Sequence, residues 1–173
     1  MKYLFLTAFC ASSLLVASAQ TEAIYMPETP LTIMTEDAEH SITVEVVDDP
    51  EETATGLMFR DGIAADRGMI FDFGQPREAN MWMRNVPFPI DMVFMDTDGS
   101  VLATVSHVQA NSERRINPGF AVKGVLELAD GQVSEFGIKP GDMIVHDIFD
   151  SAPALAQNPD ADADEAETEE SEN

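Results

Sequence analysis

The strongest constraint on the fold is a series of short apolar segments separated by turn signals. Ile90 to Met95 and Val101 to Val108 flank Asp98-Gly99, a pair that is typical of a tight turn between two antiparallel strands. Ile42 to Val47 alternates, with Ile42, Val44 and Val46 on one predicted face. Segments this short and this evenly spaced favour a mainly β domain.

Further strand candidates are 31–35, 68–73, 79–83, 122–128 and 143–148. Asp49 suits a helix N-cap, with Pro50 at the first helical position and Glu52 at the third, so a short helix should run to about Met58. One or two helical turns are expected between Asp130 and Phe136. Seven or eight strands with one or two short helices predict a single antiparallel sandwich or barrel.

Both ends of the chain differ from this pattern. Lys2, the apolar run from Leu4 to Ala17 and the small residues Ala17-Ser18-Ala19 predict a signal peptide over residues 1–19. The domain is then expected at 26–150, and cleavage would remove Cys10, the one cysteine. Residues 151–173 hold eight acidic residues and no basic one, which predicts a disordered acidic tail. The protein is therefore expected in the periplasm or outside the cell, with no membrane association after cleavage.

The charge balance excludes several classes of partner. The chain has 9 Lys and Arg against 32 Asp and Glu, a formal net charge of -23. Phosphate backbones need a basic surface, so no nucleic-acid partner is expected. The sequence contains no phosphate-binding or dinucleotide-binding glycine motif and no nucleophilic serine motif, and no cofactor is expected.

Several segments together resemble one known family, DUF192 (UPF0127), a small domain of unknown function. They occur in the family's order over about 53–145, and they are Thr55-Gly56-Leu57-Met58-Phe59-Arg60, Gly68-Met69-Ile70-Phe71, Met81-Trp82-Met83-Arg84-Asn85, Pro89-Ile90-Asp91-Met92-Val93-Phe94, Gly124-Val125-Leu126-Glu127-Leu128 and Gly137-Ile138-Lys139-Pro140-Gly141-Asp142. The resemblance implies a jelly-roll-like β domain, often secreted in bacteria. It implies no activity.

The candidate ligand-binding residues all lie in these segments: Arg60, Trp82, Arg84, Asn85, Asp91 and Glu127. Trp82 is the only tryptophan, and it could pack in the core or stack on a ligand ring. Arg60 and Arg84 could converge on an anion, since a guanidinium binds carboxylate or phosphate with two parallel hydrogen bonds. This interpretation favours a binding domain without catalysis, whose partner is an unknown small molecule or an envelope protein.

Two other functions stay open on the sequence. Asp91 with Glu127 or Asp142 could form the carboxylate pair of an envelope carbohydrate hydrolase. Met81 and Met83 with one of the histidines could bind Cu(I) in an oxidising compartment, since thioether sulfur is a soft ligand.

Overall fold

The computed structural model describes residues 22–149, which form seven strands and two short helices around one sheet. The predicted signal peptide and acidic tail lie outside the described residues. In chain order the elements are β1 (Glu28–Met34), β2 (Glu39–Val47), α1 (Pro50–Thr55), β3 (Arg67–Glu78), β4 (Ile90–Met95), β5 (Val101–Val108), β6 (Ala121–Ala129), α2 (Gln132–Glu135) and β7 (Met143–Val145). Within residues 22–149, no helix has the length and apolar composition needed to span a bilayer.

The strands lie in the order β5-β4-β6-β3-β2-β1-β7. The mainly β class and the two short helices are confirmed, but the prediction of an antiparallel sheet is wrong at one place. β2 and β3 run parallel, with Val44 opposite Gly68 and Val46 opposite Ile70. Two parallel neighbours need a crossover connection, which here is residues 48–66 with α1 inside it. The sheet is therefore mixed, and no antiparallel sandwich or jelly roll is observed.

The sheet curls until its two edge strands meet, which gives a half-barrel. The amide of Ile144 donates to the carbonyl of Gly99 at 2.8 Å, and Val101 donates to Asp142 at the same distance. Gly99 has a φ of 87°, and a Cβ there would collide with the carbonyl oxygen of Ile144. Only glycine therefore fits where the two edges close.

Apolar side chains cover both faces of the sheet, because strand residues alternate between two cores. The inner core draws on all seven strands and includes Ile33, Ile70, Val93 and Leu126. The outer core holds the alternate strand residues, such as Met69, Phe71, Met92 and Val125. Leu57, Met58, Met81, Met83 and Val86, from the segments that follow α1 and β3, cover it. The candidate site lies on this outer face.

The helix α1 begins as predicted. The carboxylate of Asp49 accepts hydrogen bonds from the amides of Glu51 and Glu52, both at 2.8 Å, and Pro50 is the first helical residue. The helix ends at Thr55 rather than near Met58, because Gly56 adopts a φ of 48°. A Cβ at Gly56 would lie 3.1 Å from Cζ of Phe71, so glycine lets α1 approach β3 closely.

Candidate functional site

The Trp82 segment is Met81 to Asn85. The side chains of Met81, Trp82 and Met83 alternate between buried and exposed, as they would in a strand, although only Met81 forms a β-bridge, with Ile116. Met81 and Met83 are buried in the outer core, and the Trp82 side chain is 45% exposed. The guanidinium of Arg84 lies 4.5 Å from the Trp82 ring centre. The alternative that Trp82 belongs to the core is therefore wrong, and its ring is available at the surface.

A pocket lies between α1 and the segment from Phe73 to Trp82. About 120 Å³ of it is open to the centres of water-sized spheres, which is room for a compact ligand or for one end of a larger one. Its lining mixes apolar side chains with polar ones, so a ligand could make both kinds of contact there. The lining residues are Thr53, Ala54, Thr55, Gly56, Leu57, Met58, Phe71, Phe73, Arg77, Asn80, Met81, Trp82, Val86 and Glu127. We call it the Glu127 pocket.

Glu127 is the most unusual group in this pocket. It lies in the middle of β6, opposite Met69 on β3 and Met92 on β4, and its side chain is on the outer face. Glu127 is only 4% exposed, and no residue in 22–149 donates a hydrogen bond to its carboxyl group. Within these residues Nε of Arg60 is the one fully buried side-chain polar atom without a partner, so the carboxyl oxygens of Glu127 keep some contact with the pocket space. Burial raises its pKa to about 8, although the charge of Arg60 opposes this rise. Glu127 is therefore mainly protonated at pH 7 and can donate as well as accept a hydrogen bond.

Arg60 lies outside this pocket. Its guanidinium binds the Glu45 carboxylate at 2.5 and 2.8 Å and the carbonyl oxygen of Ile24 at 2.5 Å. It also lies 4.4 Å from the Tyr25 ring centre. Burial alone would raise the pKa of Glu45, but Arg60 and the amide of Met26 hold that pKa below its usual value. The expected convergence of Arg60 with Arg84 on one ligand is not observed, because Arg60 is committed to a buried ion pair.

Asn85 and Asp91 have local structural partners. Asn85 has a φ of 59°, its carbonyl accepts from the amide of Phe59 at 2.9 Å, and its side-chain nitrogen lies 3.8 Å from the sulfur of Met58. Asp91 is fully buried, and its two oxygens accept from the amides of His107 and Val133, each at 2.8 Å. Asn85 therefore shapes the turn beside the pocket, and Asp91 ties β4 to β5 and α2.

The carboxylates proposed for hydrolysis do not meet. Asp91 is opposite Leu128 and Met92 is opposite Glu127, so Asp91 and Glu127 point to opposite faces of the sheet. Asp142 accepts from the amide of Lys139 at 2.8 Å within the turn before β7. The carboxyl group that shares a face with Glu127 is that of Glu45, two strands away, and Arg60 holds it.

The predicted copper site is not assembled among residues 22–149. His40 stacks on Phe136 at 4.4 Å, and Nε2 of His146 lies 2.8 Å from the hydroxyl of Thr29. Neither histidine lines the Glu127 pocket beside Met81.

The carboxylates of Asp91 and Asp130 and the ring of His107 are close enough to one another to hold a metal ion. Nδ1 of His107 lies 2.8 Å from Asp130, and this partner raises the pKa of His107. Both oxygens of Asp91 already accept backbone hydrogen bonds, so that carboxylate is committed to the fold. Asp91 also points away from the pocket face.

Sequence reasoning missed three residues that matter at the site. Glu45 was not selected from the sequence, although it is buried and forms an ion pair with Arg60. The predicted strand 68–73 ends at Phe73, yet β3 continues through Gly74-Gln75-Pro76 to Glu78 with an irregular register and so carries Arg77. Arg77 stacks on Phe73 at 4.0 Å and lines the pocket. The sequence signal that could have pointed to Arg77 is the scarcity of Lys and Arg. When a chain has so few cations, each arginine is a stronger candidate for a functional contact.

Comparison with known proteins agrees with this fold. Residues 31–146 match the model of DUF192, a family described as "Uncharacterized ACR". A Sinorhizobium meliloti 1021 protein described as a "putative transcription regulator" is 35% identical, with a TM-score of 0.69 over 71% of this chain and 96% of that one. A protein of unknown function from Novosphingobium aromaticivorans DSM 12444 is 29% identical, with a TM-score of 0.68 over 78% of this chain and 99% of that one. No curated protein matches the sequence. Because the family model spans most of the chain, this protein belongs to the DUF192 family.

Proposed function

We propose that this protein is a binding domain for a small molecule and that the Glu127 pocket is its site. One observation carries the proposal: the carboxyl group of Glu127, which is almost wholly removed from solvent and receives no hydrogen bond from residues 22–149, lines an open pocket of mixed apolar and polar character. A buried polar group without a partner is costly, so its retention needs a reason. A ligand that hydrogen-bonds to Glu127 supplies that reason, with Trp82 beside it at the entrance.

The competing functions have less support. Hydrolysis of a glycoside needs two carboxyl groups on one site, and Asp91 and Glu127 face opposite ways. The name of the Sinorhizobium meliloti relative would suggest a role on DNA, but a chain with a net charge of -23 is poorly suited to the continuous phosphate backbone of a nucleic acid. We therefore do not extend that name to this protein.

A fragment screen by NMR tests the proposal. The full chain is labelled with ¹³C at its methionine methyl groups and mixed with a panel of small neutral and charged compounds. We expect hits to shift the signals of Met58 and Met81, which line the pocket, and to leave Met34 unchanged. Compounds that shift no pocket methionine, or that shift methionines across the whole domain, would overturn the proposal.

A matched pair of variants distinguishes binding in the Glu127 pocket from nonspecific binding elsewhere on the surface. Ala54 is exposed on α1 and lines the pocket, so Ala54→Phe should fill it without disturbing either core. Ala38 is exposed in the turn between β1 and β2, and Ala38→Phe adds the same ring elsewhere. The hits should be lost in the first variant and kept in the second. Hits that survive Ala54→Phe would contradict the assignment of the site.

We also infer that the chain is exported to the periplasm or secreted, on the strength of residues 1–19 alone. N-terminal sequencing of the protein isolated from its source tests this inference. A first residue at or near Gln20 is expected, and a retained Met1 would contradict it.

A further inference from the structure

The positive charges of residues 22–149 fall into two groups. Arg60, Arg67, Lys123 and Lys139 each have a carboxylate within 4.0 Å. The remaining four cations of this part of the chain have no such partner, and they are Arg77, Arg84, Arg114 and Arg115. Four of the six arginines in this part of the chain therefore have no carboxylate within 4.0 Å, although acidic residues far outnumber basic ones.

The four arginines of the second group lie around Trp82. Arg77 lines the pocket with its guanidinium over Phe73, and Arg84 lies over the Trp82 ring. Arg114 and Arg115 precede Ile116, whose backbone pairs with Met81, and Met83 donates to the carbonyl of Ser112 at 2.8 Å. The segment that carries Arg114 and Arg115 therefore runs directly beside the Trp82 segment. We call these four residues the arginine rim.

The acidic groups near the pocket do not cancel this rim. A shallow groove continues the pocket past α1 and is bordered by Asp48, Asp49 and Asp72. Asp49 is engaged with the two amides at the start of α1, and Asp72 pairs with Lys123. Asp48, on the α1 side, is exposed. Arg77 and Arg84, on the Trp82 side of the entrance, therefore have no carboxylate within 4.0 Å, whereas the α1 side carries the exposed carboxylate of Asp48.

We propose that the ligand is a small organic anion with an apolar body, bound with the body in the Glu127 pocket and the carboxylate or phosphate on Arg77 and Arg84. This inference rests on the proposed function and adds the chemical class of the ligand. Phe71, Met58 and Met81 offer apolar contact to the body. A guanidinium stacked on an aromatic ring keeps its N–H donors at the ring edge, where an anionic group can reach them.

Three compounds with the same ring and different charges test the ligand class. Phenylacetate, phenylacetamide and phenethylamine are titrated into the full chain, and binding is followed on the methyl signals of Met58 and Met81. Phenylacetate should bind at least about threefold more tightly than phenylacetamide, and phenethylamine should bind most weakly. The preference for the anion should shrink at 0.5 M salt, a concentration at which the screening length is only about 4 Å.

Variants that each remove one positive charge show which arginines cause the preference for phenylacetate over phenylacetamide. Arg77→Gln and Arg84→Gln should each bring the affinities for phenylacetate and phenylacetamide close together. Arg67→Gln is the matched control, because Arg67 is paired with Glu28 at 2.6 Å and lines a different depression. That control should keep the full preference for phenylacetate.

The possible results distinguish the two claims. Equal affinities for phenylacetate and phenylacetamide at the pocket would overturn the anion class and leave the pocket as the site. Tightest binding of phenethylamine would also overturn the anion class, since it would point to an ionised Glu127 as the recognition group. Failure of all three compounds to shift Met58 or Met81 would count against both the anion class and the pocket.

Discussion

At the residue scale, two buried glutamates on one face of the sheet behave in opposite ways. Glu45 and Glu127 lie on either side of Met69 across three neighbouring strands. Glu45 meets Arg60, and its pKa falls; Glu127 meets no hydrogen-bond donor in residues 22–149, and its pKa rises to about 8. Glu127 is the more deeply buried of the two and lacks a cationic partner in contact, so burial and partner both separate the two pKa values.

The raised pKa of Glu127 predicts an unusual dependence of stability on pH. Below pH 4.5 both the folded and the unfolded chain hold the proton, whereas between 4.5 and about 8 only the folded chain holds it. The free energy of unfolding should therefore fall as the pH rises through this range. Glu127→Gln removes the titrating group, so its stability relative to the wild type should grow from pH 5 to pH 8.5, by up to about 4 kcal/mol.

Urea unfolding at several pH values measures this difference. Glu36→Gln is the control: Glu36 is exposed, and Lys139 lowers its pKa, so that variant should gain nothing over this range. The histidines titrate alike in all three proteins and cancel in the comparison. A constant difference between Glu127→Gln and the wild type at all pH values would show that the carboxyl group is not buried.

At the element scale, the sequence predicted those features that depend on local chemistry. The β4 and β5 bounds match the predicted runs, because Asp98-Gly99 fixes the turn between two strongly apolar segments. The start of α1 follows from Asp49 and Pro50 for the same reason. The parallel pairing of β2 with β3 was missed because it depends on where the crossover returns the chain, which no local signal states.

For a related reason, the sequence predicted some residues of the candidate site correctly and placed others there that lie elsewhere. Trp82, Arg84 and Glu127 were selected from single segments, and all three lie at or near one pocket. The side chains of Arg60 and Asp91 were selected in the same way, but each is taken up by a long-range partner, Glu45 or the amide of Val133. Partners so distant in sequence arise from the topology. Spacing along the chain cannot reveal them.

The N-terminus of α1 gives a prediction at this scale, because the helix forms one wall of the pocket. Asp49→Ala removes the acceptor of two backbone amides and should lower the free energy of unfolding by about 1 kcal/mol. The adjacent Asp48→Ala removes a similar charge from an exposed side chain, so it should cost much less. Urea unfolding of both variants makes the comparison, and equal losses would contradict the capping role.

At the scale of the whole molecule, the half-barrel depends on the close contact between its edge strands at Gly99. Gly99 and Gly119 both have a φ of 87°, but only at Gly99 would a Cβ meet another atom, the carbonyl oxygen of Ile144. Gly119→Ala should therefore cost only the strain of a positive φ, about 1 to 2 kcal/mol. Gly99→Ala should cost about 1 to 3 kcal/mol more, because β5 and β7 must separate. Thermal unfolding of the two variants tests the contact, and equal losses would contradict it.

The distribution of charge also belongs to this scale. Acidic residues outnumber basic ones more than threefold, yet of the four arginines without an acidic partner among residues 22–149, Arg77 lines the pocket and Arg84 lies over Trp82, which also lines it. An acidic surface with one positive entrance would guide a small anion to that entrance. The buried, protonated Glu127 suits the same ligand, since an ionised carboxylate at that position would repel it.

The most direct test is a titration of the Glu127 carboxyl group followed by ¹³C NMR, with the signal assigned from Glu127→Gln. We expect Glu127 to have a pKa near 8 in the free protein. We also expect phenylacetate to raise this pKa further, because an anion bound nearby favours the protonated form of Glu127. A pKa near the ordinary value of 4.5, unchanged by phenylacetate, would mean that water or a cation stabilises the ionised carboxylate of Glu127. That result would contradict the assignment of the Glu127 pocket as the binding site.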